Sequence, residues 1–373
     1  ADGIGYDLAK MMERKRGVVE SFNGGIAYLM KKNKIDVISG HAQFTSPHAI
    51  EVKGKGYEAK HFIIATGSKP SSLPFLPVDE ERVLTSTGIL SLKEVPKRLL
   101  VVGAGVIGVE LGCVYRRLGA EVEFIEYLDV ICPTLDRQVS GEFQKILEGQ
   151  GLKFHLGTKV EGLEGVRLKT SEGEMEGSHI LVAVGRVPYT ENLGLERAQV
   201  ELDGRGFIPI NSRFQTQQGH IFAIGDVVGG AMLAHKASEE GVMAAEIIAG
   251  EAPHLDYMAI PSVIYTSPEV ASVGFSEEEL KEKKVDYRAS VFSLKANSRA
   301  RCIGAEEGLV KLLTASSGHL LGAHIIAEGA GEMIQECALA IQKRLKTADI
   351  AHTPHAHPTL SEAIKEAALR DIL

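Results

Sequence analysis

Apolar side chains at Leu8, Met11, Met12, Val19, Phe22, Ile26, Leu29 and Met30 recur at helical spacing, so residues 7–32 are predicted to form one helix. Gly24-Gly25 is its weak point, because glycine lacks the helix propensity of its neighbours. Short strands are expected next around Asp36–Ser39, His48–Val52 and His61–Ala65, punctuated by glycines and Pro47. Residues 83–97 read as a connector closed by Glu94-Val95-Pro96. Leu99–Val102 is a short apolar run, the pattern of a strand buried on both faces. Val106–Leu118 then reads as a helix, Glu121–Glu126 as a second strand, Val139–Gly149 as a second helix and Ile180–Val184 as a further strand. A strand entering a turn spans Gly219–Asp226, and a helix follows over His235–Ala249. From Pro261 the pattern changes. Strands at Ser262–Tyr265, Tyr287–Phe292 and Gly308–Leu313 alternate with helices at 277–283, 329–343 and 359–370, which predicts an α+β layer at the end of an α/β chain.

At 373 residues the chain is long enough for two or three domains, each with its own core. A net charge of −8 without any basic run argues against nucleic acid as the main partner and offers nothing to an anionic membrane. No stretch approaches the ~18 consecutive apolar residues that span a bilayer, so no membrane partner is expected. The opening Ala1–Leu8 lacks the basic end and apolar core of a signal peptide, and without an initial methionine it reads as a mature or cut form. Cys113, Cys132, Cys302 and Cys337 include no close pair, so neither structural zinc nor a disulfide framework is expected, and a reducing compartment suits them. Cys113 and Cys337 fall in helical patterns and read as small core residues.

The chemistry concentrates at the first strand-to-helix turn. Gly103, Gly105 and Gly108 form G-x-G-x-x-G there. The first glycine permits the tight turn, the second lets backbone amides approach a pyrophosphate, and the third lets helix and strand pack closely. The amides and partial positive charge at the helix start favour phosphate. Glu126 ends the next strand, 23 residues after Gly103. A carboxylate at that point accepts both ribose hydroxyls of NAD and repels the additional phosphate of NADP. Two further strands, Ile63–Ser68 and Leu181–Arg186, each break at a glycine and are placed either to return beside a dinucleotide or simply to turn.

Four motifs occur in order: Gly103-Ala-Gly-Val-Ile-Gly108, Ala65-Thr-Gly67, Ile224-Gly-Asp226 and His355-Ala-His-Pro-Thr-Leu-Ser-Glu362. With Asn297-Ser-Arg-Ala300 and Pro261–Val270 they resemble the flavin-dependent pyridine nucleotide-disulfide oxidoreductases over essentially the whole chain. The resemblance implies Rossmann-like FAD (incomplete) and NAD domains followed by an α+β dimerisation domain. Residues 1–97 would be the remainder of the FAD domain, 98–208 the NAD domain, 209–258 a return segment of the FAD domain and 259–373 the dimerisation domain. It places Gly103, Ala104, Gly105, Val106, Ile107, Gly108, Val109 and Glu110 around NAD, with Glu126 on the adenosine ribose and Val160 and Gly185 on the same cofactor. Ala42, Thr66, Gly67 and Ser68 would lie along FAD, Asp226 would bind its ribityl or ribose hydroxyls, and Met232, Leu233, Ala234 and His235 would line the flavin. From the residues alone, an Asx turn before Val227 is the lesser alternative for Asp226.

His357 is the implied catalytic residue, exchanging protons with a substrate dithiol across a homodimer interface, and Glu362 would fix its tautomer. The residues by themselves also allow a capping box from Thr359 to Glu362 with His357 merely beside it. His355 reads as a supporting residue. The activity implied is electron transfer from a dihydrolipoyl dithiol through a cysteine pair and FAD to NAD. The implied partners are the lipoyl domains of 2-oxo acid dehydrogenase complexes, in a bacterial cytoplasm or the mitochondrial matrix. Two family hallmarks are missing from these residues: a first G-x-G-x-x-G for FAD and a C-x-x-x-x-C pair. The chain therefore reads as the family sequence without an N-terminal part on the order of 100 residues. Disulfide reductases of the glutathione or mercuric type, which Glu126 argues against, and a non-catalytic nucleotide-binding subunit are the alternatives.

Overall fold

The computed structural model describes residues 5–373, whose contacts form two compact units. The first holds the chain up to Ser71, then Ser91–Glu94 and Arg186–Leu255; the second holds Ser72–Leu90, Val95–Gly185 and Asp256–Leu373. The sequence expectation ran the nucleotide domain on to residue 208. Instead the chain leaves the second unit at Gly185, because Arg186–Pro188 pairs antiparallel with Ser68–Pro70 in the first.

The first unit opens with the expected helix, Leu8–Lys32, capped by the Asp7 carboxylate on the Lys10 N–H. Its apolar stripe faces outward: only Leu8 is buried, while Phe22, Ile26 and Leu29 are exposed. The strand expected at Asp36–Ser39 is irregular chain, and among the described residues no strand pairs with it. Ala42–Ser46, Ala49–Val52 and Lys55–Glu58 form an antiparallel meander. Phe62–Ile64 pairs in parallel with Ile221–Ala223, and Phe44, Ile64, Leu193, Ile208, Ile221 and Val227 pack into one core.

In the second unit, five parallel strands lie in the order Val83–Leu84, His179–Val182, Arg98–Val102, Glu121–Ile125 and Lys153–His155. The edge strand Val83–Leu84 and the helix Ser86–Ile89 come from residues read as a connector. Leu99, Leu100 and Val101 are wholly buried, as a central parallel strand demands. The helix Val106–Arg117 lies so close to the sheet that a Cβ on Gly112 would stand 2.4 Å from the Phe124 ring. The last third folds as an antiparallel sheet ordered Ser262–Ile264, Glu269–Gly274, Leu320–Ala327, Leu309–Ala315 and Tyr287–Ser293. Helices Ala330–Gln342, Thr347–His352 and Glu362–Ile372 share its core through Val310, Leu312, Ala323, Ile334, Ile364 and Ala367.

A polar junction interrupts this apolar packing. Lys311 is wholly buried, and its Nζ donates to both Asp136 oxygens at 2.8 Å and to the Glu277 carboxylate. Asp136 Oδ1 caps the helix Arg137–Gly149 on the Gln138 and Val139 N–H groups, and Oδ2 accepts the Glu277 N–H. Burial opposes the charge of both carboxylates. The Lys311 ammonium outweighs it and leaves Asp136 and Glu277 below the ordinary carboxyl range. Beside them, His324 donates Nε2–H to the Phe275 carbonyl, and its Nδ1 has no hydrogen-bond partner among the described residues. Burial holds the His324 imidazole below its ordinary pKa, partly countered by Asp136.

Two predictions follow from the signs. A histidine kept neutral by the fold contributes stability fully above about pH 6.5, and that contribution is lost as pH falls below it. The two depressed carboxyls contribute fully above about pH 4.5 and lose their contribution as pH falls further. A thermal-melt series across pH should therefore begin to decline below about 6.5 and steepen below about 4.5, and His324→Leu should flatten the upper part. Lys311→Met, which strands the buried Asp136 carboxylate and removes a partner of the half-buried Glu277, should cost about 3–5 kcal/mol by denaturant unfolding.

Candidate functional site

At the end of the strand Arg98–Val102 the three glycines each answer a different constraint. Gly103 has φ +99°, and a Cβ there would meet the Ala183 carbonyl oxygen at 2.5 Å. Gly105 caps the helix, and a Cβ on it would meet nothing within 4 Å, so it borders open space. A Cβ on Gly108 would stand 2.4 Å from the Gly103 oxygen, so this glycine serves helix–strand packing. The open space is a cavity of about 450 Å³. Its walls include the expected Gly103, Gly105, Glu126, Val160 and Gly185, and also Tyr127, Pro133 and Lys159, which the sequence reading did not single out.

Glu126 is pre-oriented. Its Oε2 accepts the Ala104 N–H at 2.7 Å and its Oε1 the Leu128 N–H at 2.8 Å. Each carboxylate oxygen keeps further acceptor capacity on the cavity it lines, which suits vicinal hydroxyls. Ala104 is buried, and Val106 and Ile107 are half-buried on the first helical turn. Val109 is wholly buried, and Glu110 Oε1 accepts the Tyr265 N–H at 2.7 Å. Burial pushes the Glu110 carboxyl up, against the pull of that bond.

The first unit carries a second polar cluster at strand ends. Thr66 Oγ1 donates to the Tyr189 carbonyl at 2.7 Å, and Gly67 has φ +71° with open space around it. Ser68 Oγ donates to Asp226 Oδ2 and receives Arg186 Nε at 2.6 Å. The Asp226 side chain therefore reaches across to another strand end instead of closing an Asx turn. Its turn rests on a buried ion pair absent from the sequence reading. Lys236 and Glu240 lie 3.0 Å apart, Glu240 accepts the Gly225 N–H at 2.7 Å, and Lys236 reaches the Gly225 and Gly229 carbonyls. An i,i+4 Lys–Glu pair is usually a solvated helix face, so nothing in the spacing marked it as interior. Met232 and Leu233 are half-buried, and Ala234 and His235 are exposed on the first turn of the helix Ala234–Ile248. Ala42 is exposed at the start of its strand. Hydroxyls and a carboxylate beside a bare glycine form a donor set that fits a polyol such as the ribityl chain of FAD.

His357 and Glu362 meet as expected. His357 Nδ1 stands 2.9 Å from Glu362 Oε1, and the imidazole is 68% exposed. Glu362 Oε2 accepts the Thr359 N–H at 2.8 Å. That amide, then the imidazole, holds the Glu362 carboxyl below its ordinary range. The last helix begins at Glu362 with Ser361 as N-cap, three residues later than predicted, because the Thr359 hydroxyl bonds back to the Ala356 carbonyl. One Glu362 oxygen thus holds the loop amide and the other the imidazole, while no capping box forms because Ser361 is the N-cap. His355 is pinned between the Thr353 carbonyl and the Glu336 carboxylate, a supporting arrangement.

Three of the four thiols are poor nucleophiles. Cys113, Cys132 and Cys337 are buried, and burial pushes all three thiols up, Cys113 to about 11. Among the described residues no His, Cys, Asp and Glu group is arranged to hold a metal ion. Gly105 allows a sharp test. Gly105→Val should leave the thermal midpoint within a few degrees yet weaken NADH binding at least about tenfold, whereas Gly103→Ala should lower the midpoint as well. Fluorescence titration and melting on the same samples separate the two effects.

A family model described as pyridine nucleotide-disulphide oxidoreductase matches residues 4–241, and that of its dimerisation domain matches residues 260–368. The mitochondrial dihydrolipoyl dehydrogenase of Bos taurus is 47% identical over 388 residues, covering 98% of this chain and 75% of its own. That of Pisum sativum is 47% identical over 382 residues, covering 98% and 76%. Among solved structures, LpdA from Mycobacterium tuberculosis superposes with a TM-score of 0.92 at 28% identity, covering 99% of this chain and 84% of its own. The HOCl-induced flavoprotein disulfide reductase RclA from Escherichia coli gives 0.90 at 26% identity, covering 98% and 86%. On these matches, the chain belongs to the pyridine nucleotide-disulphide oxidoreductase family.

Proposed function

We propose that this chain carries out the proton handling and nucleotide binding of a dihydrolipoyl dehydrogenase, passing electrons from a dihydrolipoyl dithiol to NAD. The observation that carries the reading is the exposed His357 imidazole held at 2.9 Å by Glu362 in a chain with a preformed NAD-type cavity. Bound FAD and NAD supply the relay that takes two electrons from dithiol to nicotinamide. Glu362 accepts the Nδ1–H, so Nε2 presents a lone pair to solvent. At that atom a substrate thiol loses its proton to become the thiolate that disulfide exchange requires, and the proton later returns.

Thr66, Ser68 and Asp226 would hold the FAD polyol, with Met232, Leu233, Ala234 and His235 against the flavin and Ala42 nearby. Gly103, Gly105 and the amides following them would hold the NAD pyrophosphate, Glu126 the adenosine ribose, and Val160 and Gly185 the remaining walls. The exchanging cysteine pair of the family reaction is not among the four cysteines of these residues. Residues 260–368 match a dimerisation domain, which supports a homodimer; in it His357 would serve the partner's site. Dihydrolipoyl groups on the lipoyl domains of 2-oxo acid dehydrogenase complexes are the substrates this chemistry fits. The relatives' names support a mitochondrial location, and no described helix is long and apolar enough to cross a membrane.

In the assembled enzyme, His357→Gln should lower dihydrolipoamide oxidation by at least about 100-fold, in line with the usual worth of general acid–base catalysis. NADH-driven reduction of an artificial acceptor should persist. Equal loss of both activities would remove the assigned role. NADH should also bind more tightly than NADPH, and Glu126→Gln should narrow that gap; a preference for NADPH would favour the glutathione-type alternative.

A further inference from the structure

The segment between Glu126 and Asp136 forms one wall of the nucleotide cavity through Glu126, Tyr127 and Pro133, yet it contains neither helix nor strand. Its shape is set by tethers. At the near end, Glu126 is fixed by the Ala104 and Leu128 amides. In the middle, the Cys132 N–H donates to the Ala104 carbonyl at 2.8 Å, and the Leu128 carbonyl accepts the Gly157 N–H at 2.9 Å. At the far end the only carboxylate is Asp136, wholly buried, and it is held from another layer of the unit by Lys311 of the antiparallel sheet and by the Glu277 N–H. Pro133 lies three residues before this anchor, so a shift of Asp136 is passed to the cavity wall along a short, turn-rich stretch.

We propose that Asp136 is a positioning residue for the adenosine half of the nucleotide, setting the wall that carries Glu126, Tyr127 and Pro133 through its buried bond to Lys311. The inference rests on the nucleotide reading above and adds to it that the antiparallel sheet takes part in shaping the NAD subsite. Asp136 touches no ligand; it acts through the loop. The arrangement is sensitive because Lys311 has no alternative acceptor in water and Glu277 shares the same ammonium. Asp136→Asn keeps an oxygen for the Gln138 and Val139 amides but turns an amide donor or a neutral oxygen toward Lys311, so the helix cap survives while the anchor weakens.

The test is a fluorescence titration of the full chain with NADH, followed by displacement with ADP-ribose, on wild type, Asp136→Asn and Glu277→Gln. The expected result is a rise of about fivefold or more in the dissociation constants of both NADH and ADP-ribose for Asp136→Asn, and a smaller rise for Glu277→Gln. Near-UV circular dichroism and melting identify folded samples, and titration well below each midpoint separates positioning from stability. Folded Asp136→Asn that binds both ligands as wild type does, with only a lower midpoint, would overturn the proposal. If Asp136→Asn does not fold, Glu277→Gln decides, since it weakens the same ammonium from the sheet side. Wild type that binds no NADH would instead overturn the nucleotide reading on which the proposal stands.

Discussion

One ammonium group without solvent contact organises the second unit. Lys311 stands between Asp136, which starts a helix of the nucleotide layer, and Glu277, which starts a helix beside the antiparallel sheet. A buried cation facing a buried carboxylate and a half-buried one is tolerated when the surrounding donors occupy the carboxylate oxygens. Here those donors are the Gln138, Val139 and Glu277 amides and the Tyr287 hydroxyl. The same bonds that make the burial tolerable also tie the two layers to one geometry.

The two candidate cofactor sites follow one physical scheme in separate units. Each ends a buried strand at a glycine of positive φ, Gly103 at +99° and Gly225 at +76°, where the backbone turns without a side chain. Each places a carboxylate near by and fixes it with a bond made inside the fold. Glu126 is held by two amides, Asp226 by the Ser68 hydroxyl. The supports differ, however. Packing against Ala183 holds the Gly103 turn, while the buried Lys236–Glu240 pair holds the Gly225 turn from below. A pre-oriented carboxylate loses little entropy on binding hydroxyls, which is the usual advantage of a preformed site.

At His357 one carboxylate makes two contacts that spacing alone does not distinguish. Thr359 and Glu362 have the separation of a capping box, and the Glu362 oxygen does take the Thr359 amide. The other oxygen meets the imidazole, while the helix begins at Glu362 and the Thr359 hydroxyl bonds to Ala356, so no capping box forms.

By itself the sequence determined what depends on period and on glycine. The alternation of apolar runs with helical stripes marked Arg98–Val102, Val106–Arg117 and Ala234–Ile248 to within a few residues. G-x-G-x-x-G marked the turn, because only glycine meets the steric demands at Gly103 and Gly108. Those are short-range constraints, carried by neighbours in the chain. Tertiary structure alone decided where charged side chains go. Lys311 lies 175 residues from Asp136, and Lys236 looks like any solvated helix lysine, so their burial has no local signature. It decided too that Arg186–Pro188 returns to Ser68–Pro70 and that Glu110 bonds the Tyr265 amide. Pairing and burial are properties of partners distant in sequence, and a pattern read along one chain does not contain the partner.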